Sequence, residues 1–272
     1  MASSGLSTST FPVLVASLRE HAPLVHCLTN SVVQEITANV LLAAGASPVM
    51  ADSPLEVEEF ASKADGILIN SGTPTRDSLD AMRTAIATAN ASNKPWVLDP
   101  VGIGAARFRT EFLYSLLDSH PTAIRGNASE IRALAGEDVV GKGVDSLHDV
   151  PGAFNAAHLL AERTGGVVAV SGPVDLIVSP SRSSWLTSGS GLLQRVVGTG
   201  CALGGLTAAY LSIPGANAHS AVIAAHAHVG AAGQIAARKT MSPGSFRVAW
   251  LDALYEVCPD MVHDLVNVED TQ

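Results

Sequence analysis

Short apolar runs that do not alternate, set between longer stretches that do follow a helical period, constrain this chain most. Gly66-Ile-Leu-Ile-Asn70, Trp96-Val-Leu-Asp99 and Val167-Val-Ala-Val-Ser171 are three such runs. A strand with one wet face alternates apolar and polar residues. These do not, so both of their faces are expected to be covered. Between them lie helical patterns: Ser31 to Ala44 puts Val33, Ile36, Val40 and Leu41 on one stripe, and Arg76 to Ala91 is the next. Strand and helix therefore alternate. That pattern calls for an α/β domain with a mostly parallel central sheet and helices on both faces. No composition break or internal repeat interrupts it, so residues 1–272 read as a single domain, with the small, polar residues 1–10 expected to be disordered.

The remaining elements follow from the same rules. Pro12 to His21 reads as a first helix, Leu24 to Leu28 as a strand, and Pro48 to Met50 as the start of another. Ser53 is expected to cap a helix with Pro54 at its first position. Thr122 to Arg125 is a strand, Gly126-Asn127 a turn, and Ala128 to Ala135 a helix. Residues 136–150 read as a mobile surface loop. After the helix Pro151 to Thr164, Asp175 to Ser179 and Ser184 to Thr187 read as strands joined by a turn, so antiparallel members are expected there. Ala216 to Arg238 is one Ala-rich helix or two, and Ser245 to Tyr255 is the last helix.

Composition excludes several classes. With 47% hydrophobic but only 4% aromatic residues, the core must be built from Ala, Val, Leu and Ile. A chain of this length buries enough surface to need no staples. A formal charge of −9 argues against non-specific nucleic-acid binding. The three cysteines, Cys27, Cys201 and Cys258, are odd in number and far apart, so neither a disulfide framework nor a zinc knuckle is indicated. The N-terminus lacks the basic start of a signal peptide, and Phe11 to Leu18 is too short to span a bilayer. The expectation is a cytoplasmic protein without a membrane or nucleic-acid partner.

One stretch carries the chemistry: Arg195-Val-Val-Gly-Thr-Gly-Cys-Ala-Leu-Gly-Gly-Leu-Thr-Ala-Ala-Tyr210. It reads as a buried strand (Leu192, Leu193, Val196, Val197), a tight turn at Gly198 and Gly200, and a helix capped by Thr199. The open N–H groups of such a first turn suit a phosphate or a developing oxyanion. Cys201 would lie in that turn, where a thiol's pKa tends to fall. From Asp175 to Asp252 no acidic residue intervenes, while Arg182, Arg195, Arg238, Lys239 and Arg247 do, so a bound anion would meet little repulsion from residues nearby in sequence. The plain alternative is a glycine turn that only packs a helix on the sheet.

In open α/β sheets, ligands sit beyond the carboxyl ends of the strands. Asn30, Met50, Asn70, Asp99, Arg125, Ser171 and Gly198 fall there. Asp99 can hold Mg²⁺ through water or cap a turn. Arg125 can meet phosphate oxygens or serve as an ion-pair partner. Glu130 can face a metal or fold back on Asn127 in a capping box. Met50 can fill core or line a pocket for a flat ring. His219, His226 and His228 lack metal-ligand spacing and read as packing histidines. The P-loop signature G-x-x-x-x-G-K-[ST] is missing. Gly198-Thr-Gly-Cys-Ala-Leu-Gly204 comes too late, with no acid about twenty residues on, for a dinucleotide site.

In this order, Cys27-Leu-Thr-Asn30, Thr37 to Ala51, Leu98-Asp-Pro-Val-Gly-Ile-Gly104, Ile124-Arg-Gly-Asn-Ala-Ser-Glu-Ile131, Val168-Ala-Val-Ser-Gly172 and Gly198-Thr-Gly-Cys201 resemble the hydroxyethylthiazole kinases. The likeness runs from about residue 20 to residue 256. It implies a ribokinase-like fold and transfer of phosphate from ATP, with Mg²⁺, to the hydroxyethyl group of 4-methyl-5-(2-hydroxyethyl)thiazole in thiamine salvage. It further implies Met50, Gly198 and Asn30 at the thiazole alcohol, Arg125 and Ser171 at ATP, and Asp99 and Glu130 at the metal and phosphates. Cys201 stands where related sugar and pyrimidine kinases carry an aspartate base. A homotrimer with sites between subunits is implied as well. Departures are Ser171 for the usual Thr, Pro173 after it, Gln234 for a frequent Glu, and a looser Ser188-Gly-Ser-Gly191. The rivals are a hydroxymethylpyrimidine kinase, which Cys201 in place of Asp disfavours, a non-catalytic sensor, and a cysteine acyltransferase, for which no His–Asp pair is visible near Cys201.

Overall fold

The computed structural model describes residues 11–137 and 149–271. The fraying expected of residues 1–10, and most of the loop expected at 136–150, lie outside the described residues. The strands are β1 (Leu24–Leu28), β2 (Ser47–Val49), β3 (Gly66–Asn70), β4 (Trp96–Asp99), β5 (Ala123–Asn127), β6 (Val167–Ser171), β7 (Asp175–Ser179), β8 (Arg182–Thr187) and β9 (Asn267–Thr271). Helices α1 (Phe11–His21), α2 (Gln34–Ala44), α3 (Val57–Lys63), α4 (Arg76–Ala91), α5 (Arg107–Leu116), α6 (Ala128–Leu134) and α7 (Phe154–Thr164) lie between the strands through β6 or precede them. The last third holds α8 (Thr199–Leu211), α9 (Ala218–Lys239), α10 (Pro243–Glu256) and α11 (Pro259–Leu265). One nine-stranded sheet runs in the order β2-β1-β3-β4-β5-β6-β7-β8-β9. The pairs from β2 to β6 are parallel, and those from β6 to β9 are antiparallel.

The unbroken apolar runs have the expected cause. Val25, Cys27, Leu68, Val97, Ala123 and Ala169 point into a core formed with α1, α2 and α8 to α11. Their neighbours Ile67, Ile69, Trp96, Leu98, Ile124, Val168 and Val170 point into a second core under α3 to α7. Alternate residues thus serve opposite faces, and both faces are dry. Helix α9 is buried all round among α1, α8 and α10, and its alanines let those helices approach. It is one continuous helix. His219, His226 and His228 on it are buried and hydrogen-bonded to Ser184, Asp175 and Tyr210 respectively, as packing histidines should be.

Four local expectations give way. Leu192 to Val197 belong to no strand of the sheet; residues Gly191–Arg195 form a 3-10 turn begun by Ser190, whose Oγ accepts the Leu192 amide. The sheet position beside β6 is already taken by the β7–β8 hairpin. Ser53 makes a turn rather than capping a helix: its Oγ accepts the Leu55 amide, its carbonyl accepts the Glu56 and Val57 amides, and α3 starts only at Val57. Gly126 and Asn127 are not a turn but the end of β5, in register with Val170 and Ser171. Finally, the chain does not end on the helix at Tyr255. It adds α11 and the polar edge strand β9, where Arg182 and Ser184 both bond to Asp270. No described helix is long and apolar enough to cross a membrane.

Candidate active site

The carboxyl ends of β1, β3, β4, β5 and β6 bring Asn30, Asn70, Asp99, Arg125 and Ser171 into one row, against which the start of α8 packs. Gly198 takes the N-cap position of α8 with φ of 88°, a left-handed conformation that disfavours any Cβ. A Cβ there would also meet Ile36 Cγ2 at 2.5 Å and Val33 Cγ1 at 3.0 Å. Thr199 is therefore the first helical residue and not the cap; its hydroxyl donates backwards to the Leu193 carbonyl at 2.9 Å. The first intrahelical bond runs from Ala202 N to Gly198 O, so the Thr199, Gly200 and Cys201 amides are the helix's open donors. Gly200 lets Arg125 lie against this turn: a Cβ would stand 3.0 Å from Nη1. The junction thus faces Arg125.

A series of hydrogen bonds, joined at one point by an ion pair, runs along the row. The Asn30 amide donates to Cys201 Sγ at 3.6 Å and to Asn70 Oδ1 at 3.1 Å. Asn70 in turn donates to Asp99 Oδ2 at 2.6 Å. Asp99 Oδ1 stands 3.7 Å from Arg125 Nη1, and Arg125 Nη2 donates to Ser171 Oγ at 3.0 Å. Next to Ser171, the Gly172 amide donates to Asp175, whose other oxygen meets His226 Nδ1 at 2.7 Å. Asn70 is the member that motif reading noticed only as a strand end. An amide side chain there can donate to a carboxylate and accept from Asn30 at once, which no carboxylate could do, but that role needs both partners in view.

Burial sets the charges. Cys201 is shielded, and burial with the nearby Asp99 charge pushes its thiol up to about 11, outweighing the pull of Arg125, Asn70 and Asn30. The lowered thiol expected at a helix start is therefore not found: desolvation of the thiolate exceeds what the first turn supplies. Asp99 is fully buried and its carboxyl is held above the usual range, to about 7, by desolvation, with Glu130 adding to it and Arg125 and Asn70 opposing. The basic surroundings expected from sequence are also reduced, because Arg182 pairs with Asp270, Lys239 with Glu256, and Arg247 with Glu35.

Glu130 folds back in a capping box. Its Oε2 accepts the Asn127 amide and its Oε1 the Gly102 amide, while Asn127 Oδ1 accepts the Glu130 amide. The capping role is thus real, and it also ties the Pro100–Ala105 loop to α6. Asp99 Oδ1 and Arg125 Nε are each buried without a hydrogen-bond partner. Among the described residues no cluster of three His, Cys, Asp or Glu is placed to hold a metal ion. Of the Asp99 and Glu130 oxygens only Asp99 Oδ1 has no hydrogen-bond partner, so a hard cation such as Mg²⁺ held here would keep its waters and take most other ligands from phosphate. Met50 lies half-buried just past β2, packed on the core beside α2.

A model of the hydroxyethylthiazole kinase family matches residues 15–260. The chain belongs to that family. It is 57% identical over 256 residues to the hydroxyethylthiazole kinase of Corynebacterium glutamicum (strain R), covering 93% of this chain and 96% of that one. It is 48% identical over 246 residues to that of Serratia proteamaculans, covering 90% and 93%. Among solved structures, the hydroxyethylthiazole kinase protein of Pyrococcus horikoshii OT3 superposes with a TM-score of 0.88 at 35% identity, covering 96% of this chain and 99% of that one. A Staphylococcus aureus pyridoxal kinase in complex with pyridoxal superposes at 0.63 with 19% identity, covering 91% and 97%, a likeness of fold alone. As a family member the chain is a kinase of the ribokinase-like fold.

Proposed function

We propose that the chain transfers the terminal phosphoryl group of ATP to the hydroxyethyl group of 4-methyl-5-(2-hydroxyethyl)thiazole, a step of thiamine salvage. The observation that carries the reading is the unbroken series Cys201–Asn30–Asn70–Asp99–Arg125–Ser171 across the strand ends, in a chain of this family. Its two ends suit two substrates. In this reading Asn30, Gly198 and Met50 would serve the acceptor alcohol, while Arg125 and Ser171 would serve the nucleotide.

In the reaction the alcohol oxygen attacks the terminal phosphorus, the bond from phosphorus to the bridging oxygen breaks and ADP leaves, while the hydroxyl proton passes late to a phosphoryl oxygen and on to solvent. Phosphoryl transfer passes through a loose transition state, so positioning and charge stabilisation dominate over covalent help. The Thr199, Gly200 and Cys201 amides and the Arg125 guanidinium would hold the equatorial oxygens. Cys201, neutral at pH 7 because burial raises it to about 11, orients the acceptor hydroxyl and is at most a weak base. Mg²⁺, when bound, would neutralise triphosphate charge near Asp99 and Glu130. The chain is expected to work in the cytoplasm as a homotrimer with sites between subunits.

An assay coupling ADP release to the thiazole alcohol, with and without Mg²⁺, tests this. Turnover of that alcohol in preference to hydroxymethylpyrimidine supports the reading. Turnover only of the pyrimidine alcohol, or of neither, overturns it.

A further inference from the structure

Thr73 has a backbone that its side chain opposes. Its φ is 41°, in the left-handed region. A β-branched residue there is a genuine outlier, held only where the surroundings over-determine it. Glycine precedes it in Gly72-Thr73-Pro74, so the chain had a cheaper place for such an angle one residue earlier. The hydroxyl is what the position gains. Thr73 Oγ1 accepts the Ser31 amide at 3.1 Å, from the loop that leaves β1.

Two further ties join the same loops. Asn70 Oδ1 accepts both the Gly72 amide at 3.0 Å and the Asn30 side-chain amide at 3.1 Å. Gly72 packs directly on Asn30, where a Cβ would meet the Asn30 Cβ at 2.6 Å. Asn30 is also held from its own side, its Oδ1 accepting the Val32 amide at 3.2 Å. The turn after β3 therefore grips the residue that contacts Cys201. Thr73 supplies the outer tie of that grip, from an exposed position away from the core.

We propose that Thr73 is a positioning residue for the acceptor alcohol, fixing Asn30 against Cys201 through the Ser31 amide. It touches no reacting atom; its strained backbone is the consequence of placing a hydroxyl there. The inference rests on the acceptor reading of Asn30 above.

Three variants separate hydroxyl, strain and fold. Thr73→Ser keeps the hydroxyl and should stay within about twofold of wild type. Thr73→Ala and Thr73→Gly both lose it, so KM for the thiazole alcohol should rise about tenfold or more while KM for ATP stays put. Thr73→Gly also relieves the left-handed angle, so its urea midpoint should exceed that of Thr73→Ala although both show the raised KM. Full activity in Thr73→Ala, or KM for ATP rising in parallel with that for the alcohol, overturns the proposal. A second readout needs no turnover. Alkylation of Cys201 by iodoacetamide, mapped by peptide mass, should run several-fold faster in Thr73→Ala than in wild type, with buried Cys27 unreactive in both. Equal Cys201 rates overturn the proposal even if the wild type turns over neither alcohol, an outcome that would sink the acceptor reading separately.

Discussion

At the scale of single residues, the site is a row in which each side chain is placed by the next. Asn70 joins its two halves, so its loss should be felt by both. Asn70→Ala would remove the hydrogen bonds that buried Asp99 Oδ2 and the Asn30 amide make to it, a cost of about 1–3 kcal/mol in stability. Urea denaturation should register that loss, and turnover should drop with it. Cys201 gives a contrasting expectation. A general base is worth roughly 10²–10⁴-fold. A neutral thiol that only orients the alcohol should matter less, so Cys201→Ala should lower kcat by about tenfold and leave KM for ATP unchanged. Wild-type kcat in that variant would leave the thiol without a chemical part. Sequence reading singled out Cys201, Asn30, Asp99, Arg125 and Ser171 as near strand ends or a helix start, and the structure brings them into one row. That reading missed the bridging role of Asn70, whose meaning lies in partners 40 and 29 residues away.

Among the elements, α8 carries most of the consequence. Its N-cap must be glycine for two separate reasons, the left-handed φ and the closeness of Ile36 and Val33. Gly198→Ala should therefore destabilise by about 2 kcal/mol or more, since the left-handed angle alone costs roughly 1–2. Ile36→Ala removes a buried core side chain and costs stability itself, but because it also removes the clash the double variant should lose less than the sum of the two single losses, with activity not restored. Thermal midpoints and turnover of these variants check this. Helix α9 carries a pH dependence instead. His228 is enclosed between Tyr210 Oη at 2.8 Å and the Leu254 carbonyl at 2.9 Å. Because Nε2 must donate to that carbonyl, Nδ1 accepts from the tyrosine, and the ring is neutral. Burial lowers its pKa from 6.5 to about 4. The unfolded chain takes the proton first, so the stability is whole above about pH 6.5 and is lost as pH falls toward 4. For this one residue the loss is on the order of 3 kcal/mol. Denaturation midpoints measured between pH 7 and pH 4 should fall less steeply in His228→Gln.

For the whole molecule, the expected homotrimer is checked by sedimentation equilibrium, which should return three times the chain mass with no monomer at micromolar concentration. The alternation of strand and helix, the two-faced burial of β3, β4 and β6, and the order of the family motifs were legible in the sequence. They depend on local period and on residue type, and those are properties of a segment by itself. What the tertiary structure alone decided has a different origin. Leu192 to Val197 stay out of the sheet, where the position beside β6 is filled by the β7–β8 hairpin and the edge beyond it by β9. Whether the polar tail 267–271 could be a strand depended on Arg182 and Ser184 waiting on β8 for Asp270. The state of the Cys201 thiol depended on how completely α8 is covered, because desolvation is a property of the surroundings and not of the residue. Local pattern chose the elements; competition for edges and exclusion of water chose their partners and their charges.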